Sequence, residues 1–150
     1  MSPDRSQQLA REVIRTEAAA VAALEGRIGP LFSQAVDTLA ACRGKVIVSG
    51  VGKSGLIGKK IAATLTSTGT PSVFLHPSDA MHGDAGLFSP GEVALFVSKS
   101  GATEELLSLL PYLERHAIPL VLLVTQPGSP LAGRASVALV LGPAAEACPH

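Results

Sequence analysis

Aromatic side chains are scarce in this chain of 150 residues: there is no tryptophan, one tyrosine and four phenylalanines. That leaves few platforms on which nucleic-acid bases could stack. Net charge is missing too. Twelve basic residues balance twelve acidic ones, so there is no electrostatic case for nucleic acid or for an anionic membrane surface. Cysteine occurs twice, at Cys42 and Cys148, without zinc-type or redox-type spacing, which points to a reducing compartment. Long apolar runs are absent as well. Leu120 to Val124 is among the longest, far below the roughly 20 residues of a membrane span. The opening stretch, MSPDRSQQLAREV, has no apolar signal core. The expectation is a soluble, cytoplasmic protein with no nucleic-acid and no membrane partner.

What the chain does have is hydrophobic content, 47% against 16% charged residues. That composition excludes disorder and suits one domain with a real core. Leu9, Val13, Ala20, Val21 and Leu24 recur near helical spacing and predict an amphipathic helix from about Asp4 to Glu25. A second helix is expected from about Pro30 to Cys42, with Leu31, Ala35, Val36 and Leu39 inward and Gly44 ending it. The period then changes. Val46 to Val48, Ser72 to Leu75, Val93 to Val97, Leu120 to Val124 and Val137 to Leu141 are short, β-branched and almost wholly apolar. Such runs suit strands buried on both faces, and helical stretches at Leu56 to Ser67 and Thr103 to Arg115 separate several of them. The alternation predicts an α/β fold: a doubly wound, Rossmann-like, mostly parallel five-stranded sheet flanked by helices. The expected organisation is a helical arm over residues 1–43 and one domain over residues 44–150. Ligands in such folds bind beyond the carboxyl ends of the strands.

The segments that fall there are Ser49 to Gly55, His76 to Gly86, Ser98 to Glu105 and the chain from Thr125 on, and two of them are glycine-containing turns of special interest. The first, VIVSGVGKSGLIGKK, spans Val46 to Lys60 and contains Gly50-x-Gly52-x-x-Gly55. A triphosphate loop would need glycine where Ile47 stands, so that pattern fails. A dinucleotide site would want an acid at the end of the next strand, which instead ends in Leu75-His76-Pro77, with Asp79 arriving late. The bland alternative is a turn that lets a helix pack on its sheet, which fits Gly58. Lys53 fits it less well, because a lysine beside a backbone anion nest calls for an anion.

The second turn is VALFVSKSGATEELLSLL. A buried strand delivers Ser98-Lys99-Ser100-Gly101-Ala102-Thr103 straight into a helix. Three hydroxyls and free backbone N–H groups at the positive end of a helix dipole make a phosphate site. Ordinary capping by Ser100 or Thr103, with Glu104 and Glu105 in the first turn, would need only one hydroxyl.

Ser-x-Ser-Gly-x-Thr after a buried strand resembles the sugar isomerase (SIS) domain family, which binds phosphosugars. The run GVGKSGLIGKKIAATLTSTGTPSVFLHPSDAMHGDAGLF and the EACP at Glu146 to Pro149 resemble its arabinose-5-phosphate isomerase branch. The resemblance covers about Gly44 to Pro149. It implies interconversion of D-ribulose 5-phosphate and D-arabinose 5-phosphate, supplying Kdo for lipopolysaccharide, with no required cofactor. It also implies a homotetramer with sites at subunit interfaces. Catalytic importance is implied for Lys53, Glu105 and Glu146, and substrate contact for Gly69, Thr70, His76 and His82; the position of His76 can also bind inhibitory zinc. Gly52, Ser54, Ser98, Ser100, Gly101 and Thr103 are the expected phosphate-binding set.

The reaction explains these residue types. Moving a proton between C2 and C1 through a cis-enediol needs a base, an acid and a grip on the remote phosphate. Glu105 or His82 is expected to handle protons, Lys53 to stabilise enediolate charge, and Glu146 to assist from the carboxyl-terminal side. Each has a plainer reading: Glu105 as a first-turn acid, His76 as a cap, His82 as an exposed turn residue. Asp84 either orients His82 or caps the following turn. His116 suits a helix end, and Cys148 reads as structural. Lys99 and Ala102-Thr103 depart from the usual family residues. The resemblance further implies a Ser/Thr-rich loop, a helix with another histidine and, in many relatives, paired CBS modules. None has a counterpart here, and His150 is too early to match, so the chain reads as an incomplete isomerase domain. The alternatives are a non-catalytic phosphosugar-binding module and another SIS-type sugar-phosphate isomerase.

Overall fold

The computed structural model describes residues 3–147; Cys148 and His150 lie outside the described residues. Five strands form one sheet: β1 (Val46–Ser49), β2 (Ser72–Phe74), β3 (Val93–Ser98), β4 (Leu120–Val124) and β5 (Val137–Val140). All neighbours are parallel, in the order β2-β1-β3-β4-β5. The central strands are apolar on both sides because helices cover both sides. In β4, Leu120, Leu122 and Val124 enter one core with Phe96, Leu106 and Leu110, while Val121 enters the other with Val48, Ala62 and Ala35. This is the two-residue alternation of a strand feeding two cores at once.

Helices α2 (Pro30–Ala40) and α3 (Gly52–Ser67) back the core that holds Val48. Helices α4 (Pro77–Met81), α5 (Glu104–Leu107) and α6 (Leu110–Arg115) serve the other. Gly55 and Gly58 let α3 lie close on the sheet. A Cβ at Gly55 would come 2.6 Å from the Gly50 carbonyl oxygen, and one at Gly58 would come 3.1 Å from the Phe74 ring. The plain packing role expected of Gly58 is therefore present.

In the α/β unit, three helical expectations change. The single helix foreseen from Thr103 to Arg115 is two, α5 and α6. Pro111 sits in the first turn of α6, where it lacks the N–H that would continue the helix. Helix α2 stops at Ala40, so Gly44 does not cap it. Gly44 is instead small because Glu92 crosses it: a Cβ there would come 2.8 Å from Glu92 Cγ. On the inward face foreseen for α2, Ala35 is buried and Leu39 is half-buried against the same core, whereas Leu31 and Val36 are exposed.

The chain divides into two compact units. Pro30–Gly142 is the α/β unit just described. The other gathers the amino-terminal residues through Gly29 with the segment from Pro143 on. Its helix α1 (Pro3–Ala22) ends three residues before the expected Glu25 and is followed by a 3-10 turn at Glu25–Arg27. Within it Val13, Ala20 and Leu24 are half-buried, while Leu9 and Val21 are exposed.

Candidate functional site

The sheet order places the site. Strand β1 has β2 on one side and β3 on the other, so the connections leaving β1 and β3 diverge to opposite faces and open a crevice at their carboxyl ends. Both phosphate-loop candidates are those two connections. The turn after β1 is drawn tight. Ser49 is fully buried and its hydroxyl donates to the Leu75 carbonyl at 2.7 Å, tying the ends of β1 and β2. A Cβ at Gly50 would come 3.0 Å from the Val97 carbonyl oxygen, so this turn lies against the end of β3. Gly52, at φ +59°, then starts the 16-residue α3 with Lys53 and Ser54 in its first turn. Ser54 is half-buried. Lys53 is exposed and forms no ion pair among the described residues. A free ammonium at the positive end of a helix is an anion site in waiting.

The loop after β3 is built differently from the expectation. The three hydroxyls do not stand free. Ser98 and Thr103 hydrogen-bond each other at 2.9 Å, and Ser98 Oγ also accepts the Gly101 N–H at 3.0 Å. Ser100 Oγ accepts the Ala102 N–H at 3.2 Å. The residues that were to hold phosphate first hold the loop. Thr103 occupies the cap position of α5, but its side chain makes no capping bond. The first-turn N–H groups of α5 are therefore uncapped by side chains. Gly101 is required: its φ is +66°, and a Cβ would come 2.5 Å from Ser129 Cβ and 2.9 Å from Val124 Cγ2.

Facing α5 across the same edge of the sheet is α4. Its cap is His76, whose Nδ1 accepts the Ser78 N–H at 3.2 Å. The capping role is thus present, and it occupies one of the two ring nitrogens. Among the described residues no three His, Cys, Asp or Glu side chains come together to hold a metal ion, so within the described chain His76 does not sit in a ready-made zinc site. His82 ends α4 and is exposed. Between α4 and α5 runs a cleft of about 500 Å³ lined by Ser78, Met81, His82, Glu104, Glu105 and Ser108. That volume suits a small polar ligand. An imidazole and two carboxylates around one cleft can carry protons between neighbouring atoms of a bound substrate. Glu105 also lies in the first turn of α5, as its plainer reading has it.

Gly69 and Thr70 lie elsewhere. They close the carboxyl end of α3, with Gly69 at φ +97° and the Thr70 N–H on the Leu65 carbonyl at 2.9 Å. Pro71 then feeds β2 beside Val46. Helix α3 has carried the chain back to the amino-terminal edge of the sheet, so within one chain these two residues do not join the cleft. Glu146 belongs to the other unit. His116 ends α6, stacked on Tyr112 with ring centroids 4.2 Å apart, as a helix-end histidine. Asp84 opens a short 3-10 turn, Asp84–Leu87. The cleft contributions of Ser78, Met81 and Ser108 were not foreseen, since nothing in the sequence marks which serines of α4 and α5 face each other.

Comparison with known proteins gives the family. The SIS domain family matches residues 38–148. Arabinose 5-phosphate isomerase KdsD of Pseudomonas aeruginosa is 49% identical over 140 residues, covering 93% of this chain and 43% of that protein. The KdsD protein of Escherichia coli K12 is 44% identical over 143 residues, covering 95% and 44%. The chain thus spans less than half the length of these curated relatives. An Escherichia coli CFT073 protein solved in complex with arabinose 5-phosphate superposes with a TM-score of 0.91 at 35% identity, covering 99% of this chain and 79% of that one. The chain belongs to the SIS domain family.

Proposed function

We propose that this chain is the catalytic domain of an aldose–ketose isomerase that interconverts D-ribulose 5-phosphate and D-arabinose 5-phosphate through a cis-enediolate. The observation that carries this reading is the cleft lined by His82 and Glu105 at the carboxyl edge of the sheet, beside α5, the helix that the Ser98–Thr103 loop leads into. The relative solved with arabinose 5-phosphate supports the substrate class. The phosphate is gripped by the Ser98–Thr103 loop, with Gly52 and Ser54 on the neighbouring turn. Its distance from the reacting carbons fixes the sugar's reach into the cleft. Glu105 takes the carbon-bound proton and His82 serves the oxygens. Lys53 offsets the enediolate charge, and Glu146 assists from the carboxyl-terminal side. No cofactor enters this chemistry, since one proton moves between adjacent carbons and another between their oxygens, with no net oxidation or reduction of the sugar.

The reading extends to the assembly. The expected arm over residues 1–43 precedes the phosphosugar domain over residues 44–150, and the enzyme is a homotetramer of the cytoplasm feeding Kdo to lipopolysaccharide. Leu31, Phe32 and Val36 on α2, and Leu56 and Ile57 on α3, are exposed apolar side chains that self-association would cover. In such an assembly Gly69 and Thr70 meet substrate from a neighbouring copy. No described helix is long and apolar enough to cross a membrane.

The test is ketose formation from D-arabinose 5-phosphate. The parent chain is expected to form it, and Glu105→Gln to lose about 10²-fold or more in turnover while still binding. Equal turnover in the variant would remove Glu105 from the chemistry. Binding without turnover in the parent would make the chain a phosphosugar-binding module instead.

A further inference from the structure

Four polar or charged residues are buried in the described chain: Ser49, Glu92, Ser98 and Ser129. Three are satisfied. Ser49 bonds the Leu75 carbonyl, Ser98 bonds Thr103 and the Gly101 N–H, and Glu92 bonds Lys45 and the Ser89 N–H. Ser129 is the exception. It is 8% exposed, and its Oγ is the one buried side-chain polar atom without a partner among the described residues.

Its position is specific. The segment after β4 runs beneath the Ser98–Thr103 loop and is stitched to it. The Thr125 N–H donates to the Lys99 carbonyl at 3.2 Å, and the Leu131 N–H donates to the Gly101 carbonyl at 2.9 Å. Between these two bonds, the side chain of Ser129 presses on Gly101 so closely that a Cβ there would overlap it. Packing alone does not call for an oxygen at this point; alanine would fill most of the space with no hydroxyl to satisfy. A buried hydroxyl is costly unless it finds a partner. The loop above it has one to give. Ser98 Oγ now holds the Gly101 N–H and pairs with Thr103. A phosphate that draws those hydroxyls toward itself changes the hydrogen bonding around Gly101, where Ser129 waits.

We propose that Ser129 is a positioning residue of the phosphate loop: it braces Gly101 from below, and its hydroxyl gains its hydrogen bond when the Ser98–Thr103 loop engages a phosphosugar. This rests on the phosphosugar reading above. The test is titration of the parent chain and of Ser129→Ala with D-arabinose 5-phosphate, followed by NMR, beside their melting temperatures. The alanine variant is expected to melt no lower than the parent and to bind about tenfold more weakly, raising KM with kcat unchanged. Affinity within about twofold of the parent would overturn the proposal, as would a lower melting temperature with affinity intact. Should the alanine variant fold poorly, Ser129→Cys, which keeps the atom count but weakens the hydrogen bond, is judged by the same criterion. A folded parent chain that binds no phosphosugar would defeat the phosphosugar reading itself, an outcome distinct from equal binding by parent and variant.

Discussion

Lys53 and Gly101 show how differently two residues of one site can depend on the fold. Lys53 is exposed and unpaired among the described residues, so the fold does not need it. Lys53→Ala should shift unfolding free energy by less than about 0.5 kcal/mol and lower turnover by about 10²-fold. Urea titration and a ketose assay on the same sample check both halves, and full turnover would strip Lys53 of its role. Gly101 is the reverse. Gly101→Ala puts a side chain into the left-handed region and into Ser129 and Val124. It should cost about 2–4 kcal/mol of stability, read from the denaturation midpoint, and abolish tight phosphosugar binding. Little change in the midpoint would mean that the loop relaxes freely. Identities at this scale were legible, because Lys53, Ser98, Gly101 and Thr103 stand at fixed offsets after apolar runs. Their hydrogen bonds were not. Nothing in Ser-Lys-Ser-Gly-Ala-Thr says that Ser98 and Thr103 pair with each other, or that Ser129, far along the chain from Gly101, packs beneath it.

At the scale of elements, the strands were legible and the helix breaks were not. Each of the five apolar runs became a strand within a residue or two of its expected bounds; in β1, β3 and β4 burial on both faces leaves an uninterrupted apolar signature, while the largely half-buried edge strands β2 and β5 are short and still mostly apolar. Half of the inward face expected for α2 holds, because its apolar residues exceed what one sheet can cover: Ala35 and Leu39 pack on the core, while Leu31 and Val36 are exposed. The junction between α2 and the sheet rests on a polar contact that the sequence conceals. Glu92, at the entry of β3, pairs with Lys45 beside β1 and accepts the Ser89 N–H at 2.8 Å. Lys45 keeps a third of its side chain exposed, which weakens the charge term. Removing Glu92 still takes the partner from the part-buried Ser89 N–H and leaves a gap where its own side chain is buried. Glu92→Ala should therefore cost about 1–3 kcal/mol, seen in urea unfolding. Turnover per folded molecule should stay unchanged, because Glu92 lies at the amino-terminal edge of the sheet, opposite the cleft. A loss of turnover at full stability would contradict that separation.

For the whole molecule, the strand order carries the functional argument. It sends the connections of β1 and β3 to opposite faces and so brings two glycine-containing turns to one crevice, with the α4–α5 cleft on the same edge. The same topology takes Gly69 and Thr70 to the far edge, which a linear motif could not reveal. On the proposed function this edge moves a proton on a phosphosugar. Incubating the purified chain with D-arabinose 5-phosphate in D2O and following the C2 proton by NMR reads that step itself. The expected result is loss of that signal together with the appearance of ribulose 5-phosphate. A folded chain that leaves the C2 proton in place and the phosphosugar signals unshifted would contradict it.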